Sequence, residues 1–77
     1  MAAKAYTLIE TEVGKIEEVT QAVQKVKGVK SADSVAGPYD VIATIEAADL
    51  EAIGSLVKKL HSISGICKTT TLIVVKF

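Results

Sequence analysis

The chain contains no arginine and no tryptophan, and all nine of its basic residues are lysines, balanced by nine acids. Arginine supplies the planar fork that reads phosphate, carboxylate and guanine in pairs of hydrogen bonds. A neutral chain without it is a poor nucleic-acid binder on its own. One cysteine, Cys67, excludes an internal disulfide framework and is compatible with a cytoplasmic protein. There is no CxxC and no cluster of His, Cys and carboxylates at ligand spacing, so no metal or cofactor is expected. Apolar runs are only a few residues long, far short of a membrane span. No leader is visible after Met1, where Ala-Ala-Lys-Ala-Tyr-Thr follows, and the chain is expected to be a whole small protein.

What is present is apolar and regular. Half of the 77 residues are hydrophobic, which argues against disorder and for one small domain. Lys4–Thr11 alternates as a strand. Gly14 opens a helical stretch to Lys27, whose Ile16, Val19, Val23 and Val26 form one stripe. Glu17 and Glu18 early, with Lys25 and Lys27 late, complement the helix dipole. Gly28 ends that helix. Val29–Ala36 is small and polar, as suits an edge strand. Val41–Ala47 is a strong strand. Asp49 is placed to cap a helix over Leu50–Ser62, with a stripe of Leu50, Ile53, Val57 and Leu60 and with Leu56 alongside. Gly54, in mid-helix, costs about 1 kcal/mol relative to Ala and would be explained by close packing. Gly65 stops the helix, and Ile66–Phe77 is the last strand.

The order βαββαβ describes a ferredoxin-like α+β sandwich, an antiparallel four-stranded sheet with both helices on one face. Right-handed crossovers require that placement. An antiparallel sheet covered on one side should alternate cleanly between apolar and polar residues. Three of these strands do not. Tyr6 and Leu8 oppose Ala5 and Ile9, Ile42 opposes Val41, Ala43 and Ile45, and Leu72 and Val74 oppose Ile73 and Val75. Covering the second face gains about 25 cal/mol per Å². The expected cover is the same sheet of a second copy, a dimeric α+β barrel.

Residues able to carry chemistry are few. His61, the one histidine, reads as a cation at a helix C-terminus. Cys67 reads as a small hydrophobe, since no base stands near it in sequence to activate it. The glycines are isolated and form no phosphate loop. Catalytic residues are therefore not expected. The turn Gly37-Pro38-Tyr39-Asp40 between two strands is different. Gly37 admits unusual backbone angles, Pro38 removes one amide donor, Tyr39 offers a ring with a polar tip, and Asp40 accepts from an ammonium. Thr69-Thr70-Thr71 add hydroxyls. Together they suit the two charged groups of a free amino acid. They equally suit a plain hairpin turn followed by a strand chosen for its β propensity.

The segments Val26-Lys27-Gly28-Val29, Gly37-Pro38-Tyr39-Asp40-Val41 and Ser64-Gly65-Ile66-Cys67-Lys68-Thr69-Thr70-Thr71-Leu72-Ile73-Val74, in this order, resemble the effector-binding domain of the Lrp/AsnC regulators, the RAM domain. The resemblance covers essentially the whole chain. It implies dimers pairing through their sheets and rings of eight or ten chains. It also implies amino-acid effectors, or related small metabolites, held in clefts between subunits. Carried onto this sequence, the ligand residues are Gly37, Tyr39 and Asp40, with Thr69 and Thr71 as partners and backbone contacts from Ala36. Full-length members carry a helix-turn-helix domain ahead of this one. Only a few residues precede the first strand here, so the chain resembles the stand-alone modules. That leaves effector binding and association with a full-length regulator, without direct DNA binding. Two other readings remain open at this level: a small dimeric α+β barrel enzyme of monooxygenase or isomerase type, by fold analogy, and an assembly module without a ligand.

Overall fold

The computed structural model describes residues 2–76. The elements are β1 (Ala3–Thr11), α1 (Ile16–Gln24), β2 (Val29–Ser34), β3 (Val41–Ala47), α2 (Leu50–His61) and β4 (Ile66–Ile73). They form one antiparallel sheet in the order β2-β3-β1-β4, so the two central strands are β3 and β1. This is the ferredoxin-like βαββαβ arrangement.

Register decides which side chains meet. Ala5, Thr7 and Ile9 of β1 stand opposite Ile45, Ala43 and Val41 of β3. All six are fully buried. Val19 and Val23 of α1 and Ile53, Leu56 and Leu60 of α2 close over them, together with Ala32 of β2. Both helices therefore lie on one face. The opposite face carries Tyr6, Leu8 and Ile42, which stay half-buried, and Leu72, which is half exposed. No helix or loop covers this apolar set among the described residues.

The element ends depart from the pattern in informative places. α1 begins at Ile16, after a turn in which the Lys15 amide donates to the Glu12 carbonyl. It stops at Gln24 because the Lys25 and Val26 amides reach back only three residues, to Ala22 and Val23, a tighter winding that closes the helix. Lys25 and Lys27 thus lie beyond it, and its last turn holds no basic residue. Ile16 is exposed rather than part of the buried stripe. In α2 the Asp49 carboxylate accepts the Ala52 amide at 2.8 Å, the expected cap. Leu50, in the first turn, points to solvent. Gly54 has open space around its α-carbon, so close packing does not explain it. β2 ends at Ser34, two residues early, where the Val35 amide donates to the Asp40 carbonyl and the loop begins. β4 ends at Ile73, and Phe77, expected at its end, lies outside the described residues.

Candidate functional site

The turn of interest joins β2 to β3 at one end of the sheet. Ala36, Gly37 and Pro38 are exposed, and Tyr39 and Asp40 are half-buried. Gly37 has φ +146, in the region where a side chain is strained, and a Cβ there would meet no other atom. The loop is tied at its base: the Asp40 amide donates to the Ile9 carbonyl at 2.9 Å. The backbone of Asp40 thus binds the adjacent strand while the exposed tip of the turn stays accessible.

The Asp40 side chain is already engaged within the chain. Its Oδ2 accepts the Thr11 amide at 2.8 Å and the Thr11 hydroxyl at 3.3 Å. Thr11 lies at the register shift that ends the β1–β4 pairing, where the ladder leaves its backbone amide in need of an acceptor. Asp40 therefore locks the end of β1 to the start of β3. Oδ1 makes no hydrogen bond within the described residues, so half of the carboxylate remains for a ligand. Thr11 is not among the residues that the sequence singles out. Only the long-range register brings it to Asp40, and no local pattern signals it.

Thr69 and Thr71 stand opposite Ile9 and Thr7, on the helix-covered face of β4. The Thr71 hydroxyl shares a 3.2 Å hydrogen bond with that of buried Thr7. Val41 and Thr69 both pair with Ile9 from opposite sides, which puts them roughly 10 Å apart at two strand spacings. The turn and Thr69 share one end of the sheet, with β1 between them. Thr71 lies one pleat further in. Within one chain the structure joins Asp40 to Thr11 and Thr71 to Thr7, and it leaves these two pairs apart.

The other candidates are simpler. His61 is exposed in the last turn of α2, with Lys58 and Lys59 for company. Cys67 is exposed rather than buried, because it falls at the irregular start of β4 beside the register shift. Among the described residues, no three His, Cys, Asp or Glu side chains gather as they would around a metal ion. None of the helices is long and apolar enough to cross a membrane.

These features define a small ferredoxin-like domain whose distinctive turn closes onto its central strand. A family model for the Lrp/AsnC ligand binding domain matches residues 4–77. The chain belongs to that family. An uncharacterized HTH-type transcriptional regulator of Pyrococcus furiosus is 34% identical over 58 residues, 74% of this chain and 39% of the regulator. The HTH-type transcriptional regulator FL11 of Pyrococcus abyssi is 31% identical over 72 residues, 94% of this chain and 48% of the regulator. The chain thus spans less than half the length of these two relatives. A match of 28% identity over 58 residues covers 75% of this chain but only 13% of a homocitrate synthase of Sulfurisphaera tokodaii. Among solved structures, a protein of Thermus thermophilus superposes with a TM-score of 0.91 at 26% identity, covering 97% of this chain and 95% of that one. A transcriptional regulator of Neisseria meningitidis, solved with L-Met, superposes at 0.84 with 22% identity over 96% of this chain and 50% of that one. It shares the fold.

Proposed function

We propose that this chain binds a free amino acid, or a related small metabolite, as the effector module of Lrp/AsnC-type transcriptional regulation. The observation that carries this reading is the ligand-binding family match over residues 4–77. The L-Met complex of the Neisseria meningitidis regulator supports the ligand class. The ligand residues in this reading are Ala36, Gly37, Tyr39 and Asp40, with Thr69 and Thr71. The turn and the threonines do not close into one pocket within a single chain, which is what a cleft shared between subunits requires.

Assembly follows from the open face of the sheet. Tyr6, Leu8, Ile42 and Leu72 form an apolar surface that a second copy buries by matching its own. Dimers then join into larger rings, and a full-length regulator of the same family enters by the same contacts. A ligand held between subunits stabilises whichever assembly holds it better. DNA contact belongs to helix-turn-helix domains and not to residues of this module. The module is non-enzymatic in this reading. His61 is exposed in the last turn of α2 beside Lys58 and Lys59, and the homocitrate synthase match spans too little of that enzyme to bring its activity. The cytoplasm is where such a regulator meets both DNA and metabolites.

Sedimentation velocity tests the assembly. The protein sediments as a dimer or a larger closed species, and Ile42→Lys, which sets a charge in the middle of the open face, shifts it to monomers with native circular dichroism. A monomer at every concentration, unmoved by any amino acid, would contradict the reading.

A further inference from the structure

The helix-covered residues of β1 and β3 alternate with residues on the open face of the sheet. Register sets the open-face residues side by side in three levels. Lys4 stands beside Glu46, Tyr6 beside Thr44, and Leu8 beside Ile42. The outer strands extend the last level, with Thr70 of β4 beside Leu8 and Asp33 of β2 beside Ile42. The face is therefore charged at one end and apolar in the middle.

Lys4 and Glu46 are cross-strand neighbours that form no ion pair. The one ion pair among the described residues joins Lys15 to Glu18. The Lys4 ammonium lies instead over the Tyr6 ring, 5.6 Å from its centroid. Lys4 and Glu46 both border a concavity of about 460 Å³ at this end of the face, together with Val74 and Lys76. Unpaired charges beside an apolar surface select the orientation in which a partner meets them.

With the strands of two stacked sheets roughly aligned, two orientations of a two-fold axis are available. An axis across the strands sets each strand on its own copy, running the other way. Lys4 then meets Glu10, but Glu46 falls at Asp40, just before β3, carboxylate on carboxylate, and Ile42 lies over Thr44. An axis along the strands, over the line between β1 and β3, sets β1 on β3 of the second copy at the same level. Lys4 then meets Glu46, Leu8 meets Ile42, Tyr6 meets Thr44 and Thr70 meets Asp33, and every contact occurs twice. Stacked sheets lie about 10 Å apart, a gap that a lysine and a glutamate side chain span together.

We infer that the second copy packs about a two-fold axis parallel to the strands, β1 over β3, and that reciprocal Lys4–Glu46 pairs fix this orientation. The inference rests on the sheet-to-sheet assembly proposed above and adds its orientation and its charge code. Lys4 is exposed, so the pairs specify orientation more than they add affinity, and their effect fades as salt rises.

The test is sedimentation of charge-reversed variants over a dilution series at low ionic strength. Lys4→Glu and Glu46→Lys each set like charges against one another twice, and each alone raises the dissociation constant of the dimer at least about tenfold. Mixed one to one, the two variants associate as well as wild type, because every such contact is then between opposite charges. Like charges side by side within each chain persist in the mixture, so a weakness of the fold alone is not rescued. The crossed orientation gives the opposite pattern: Glu46→Lys tightens the dimer at Asp40, and the mixture keeps a carboxylate against Glu10. That pattern, or variants that sediment like wild type, or a mixture no tighter than its components, overturns the orientation and leaves the assembly reading standing. Wild-type protein that is monomeric throughout overturns both and leaves the open face to an unrelated partner.

Discussion

Gly65→Ala lowers the unfolding free energy by about 2–4 kcal/mol, the sum of a left-handed backbone penalty and overpacking. Gly65 is buried, has φ +98, and would place a Cβ 2.9 Å from Cγ2 of Val19 and 3.3 Å from the Lys15 Cβ. Val19 is 1% exposed and branched at Cβ, so it cannot swing aside. The Gly65 carbonyl also accepts the Glu12 amide at 2.8 Å, so a shift of the backbone there disturbs the entry to α1. For a domain of this size the melting temperature falls by roughly 10–25 °C. Gly54→Ala is the control with the opposite sign. Gly54 is helical and has nothing within 4 Å of a built Cβ, so alanine stabilises by about 0.5–1 kcal/mol. Thermal unfolding of both variants checks the pair. Equal, small effects would mean that the contact between Gly65 and α1 is not as close as described.

Asp40→Ala destabilises the protein by about 1.5–3 kcal/mol, the usual scale for hydrogen bonds to a charged group. The Thr11 amide loses its acceptor at the point where the β1–β4 ladder is interrupted. Truncation therefore disturbs the fold whether or not Asp40 meets a ligand, and alanine alone does not isolate a ligand role. Asp40→Asn does. It keeps an acceptor oxygen for Thr11 and removes the charge that would meet an ammonium group, so it recovers about half of the lost stability. Chemical denaturation reads the first effect, and amino-acid-dependent stabilisation of the Asn variant reads the second. Wild-type stability in the Ala variant would show that the Thr11 contact carries nothing. A full ligand response in the Asn variant would remove Asp40 from the ligand set.

Much of the fold is legible in the order of the chain because each element has its own period. The stripe Val19 and Val23, the run Ile53, Leu56 and Leu60, and the alternation of Ala5 and Ile9 all reappear as the buried core. The misreadings cluster at element ends. Leu50 and Ile16 fit a helical stripe by spacing, yet each is the first residue of its helix and is exposed. Lys25 fits a helix end by charge, yet the chain tightens before it. Cys67 looks like a core cysteine until the register shift at Glu10 and Thr11 turns it outward.

The site is legible as a turn and not as a network. Local composition singles out Gly37, Tyr39 and Asp40. The bond from Thr11 to Asp40 spans 29 positions and depends on β1 lying next to β3, which no local signal states. The pairing of Thr7 with Thr71, 64 positions apart, is of the same kind.

A thermal-shift screen of the twenty amino acids tests effector binding most directly, because a ligand that prefers the folded assembly must raise its melting temperature. A ligand at a hundred times its dissociation constant adds about 2.7 kcal/mol. The expected result is a selective rise with one amino acid or one chemical group of them, reduced in Asp40→Asn. A flat response to all twenty at high millimolar concentration, from protein that unfolds cooperatively, would contradict amino-acid binding and leave assembly as the module's role.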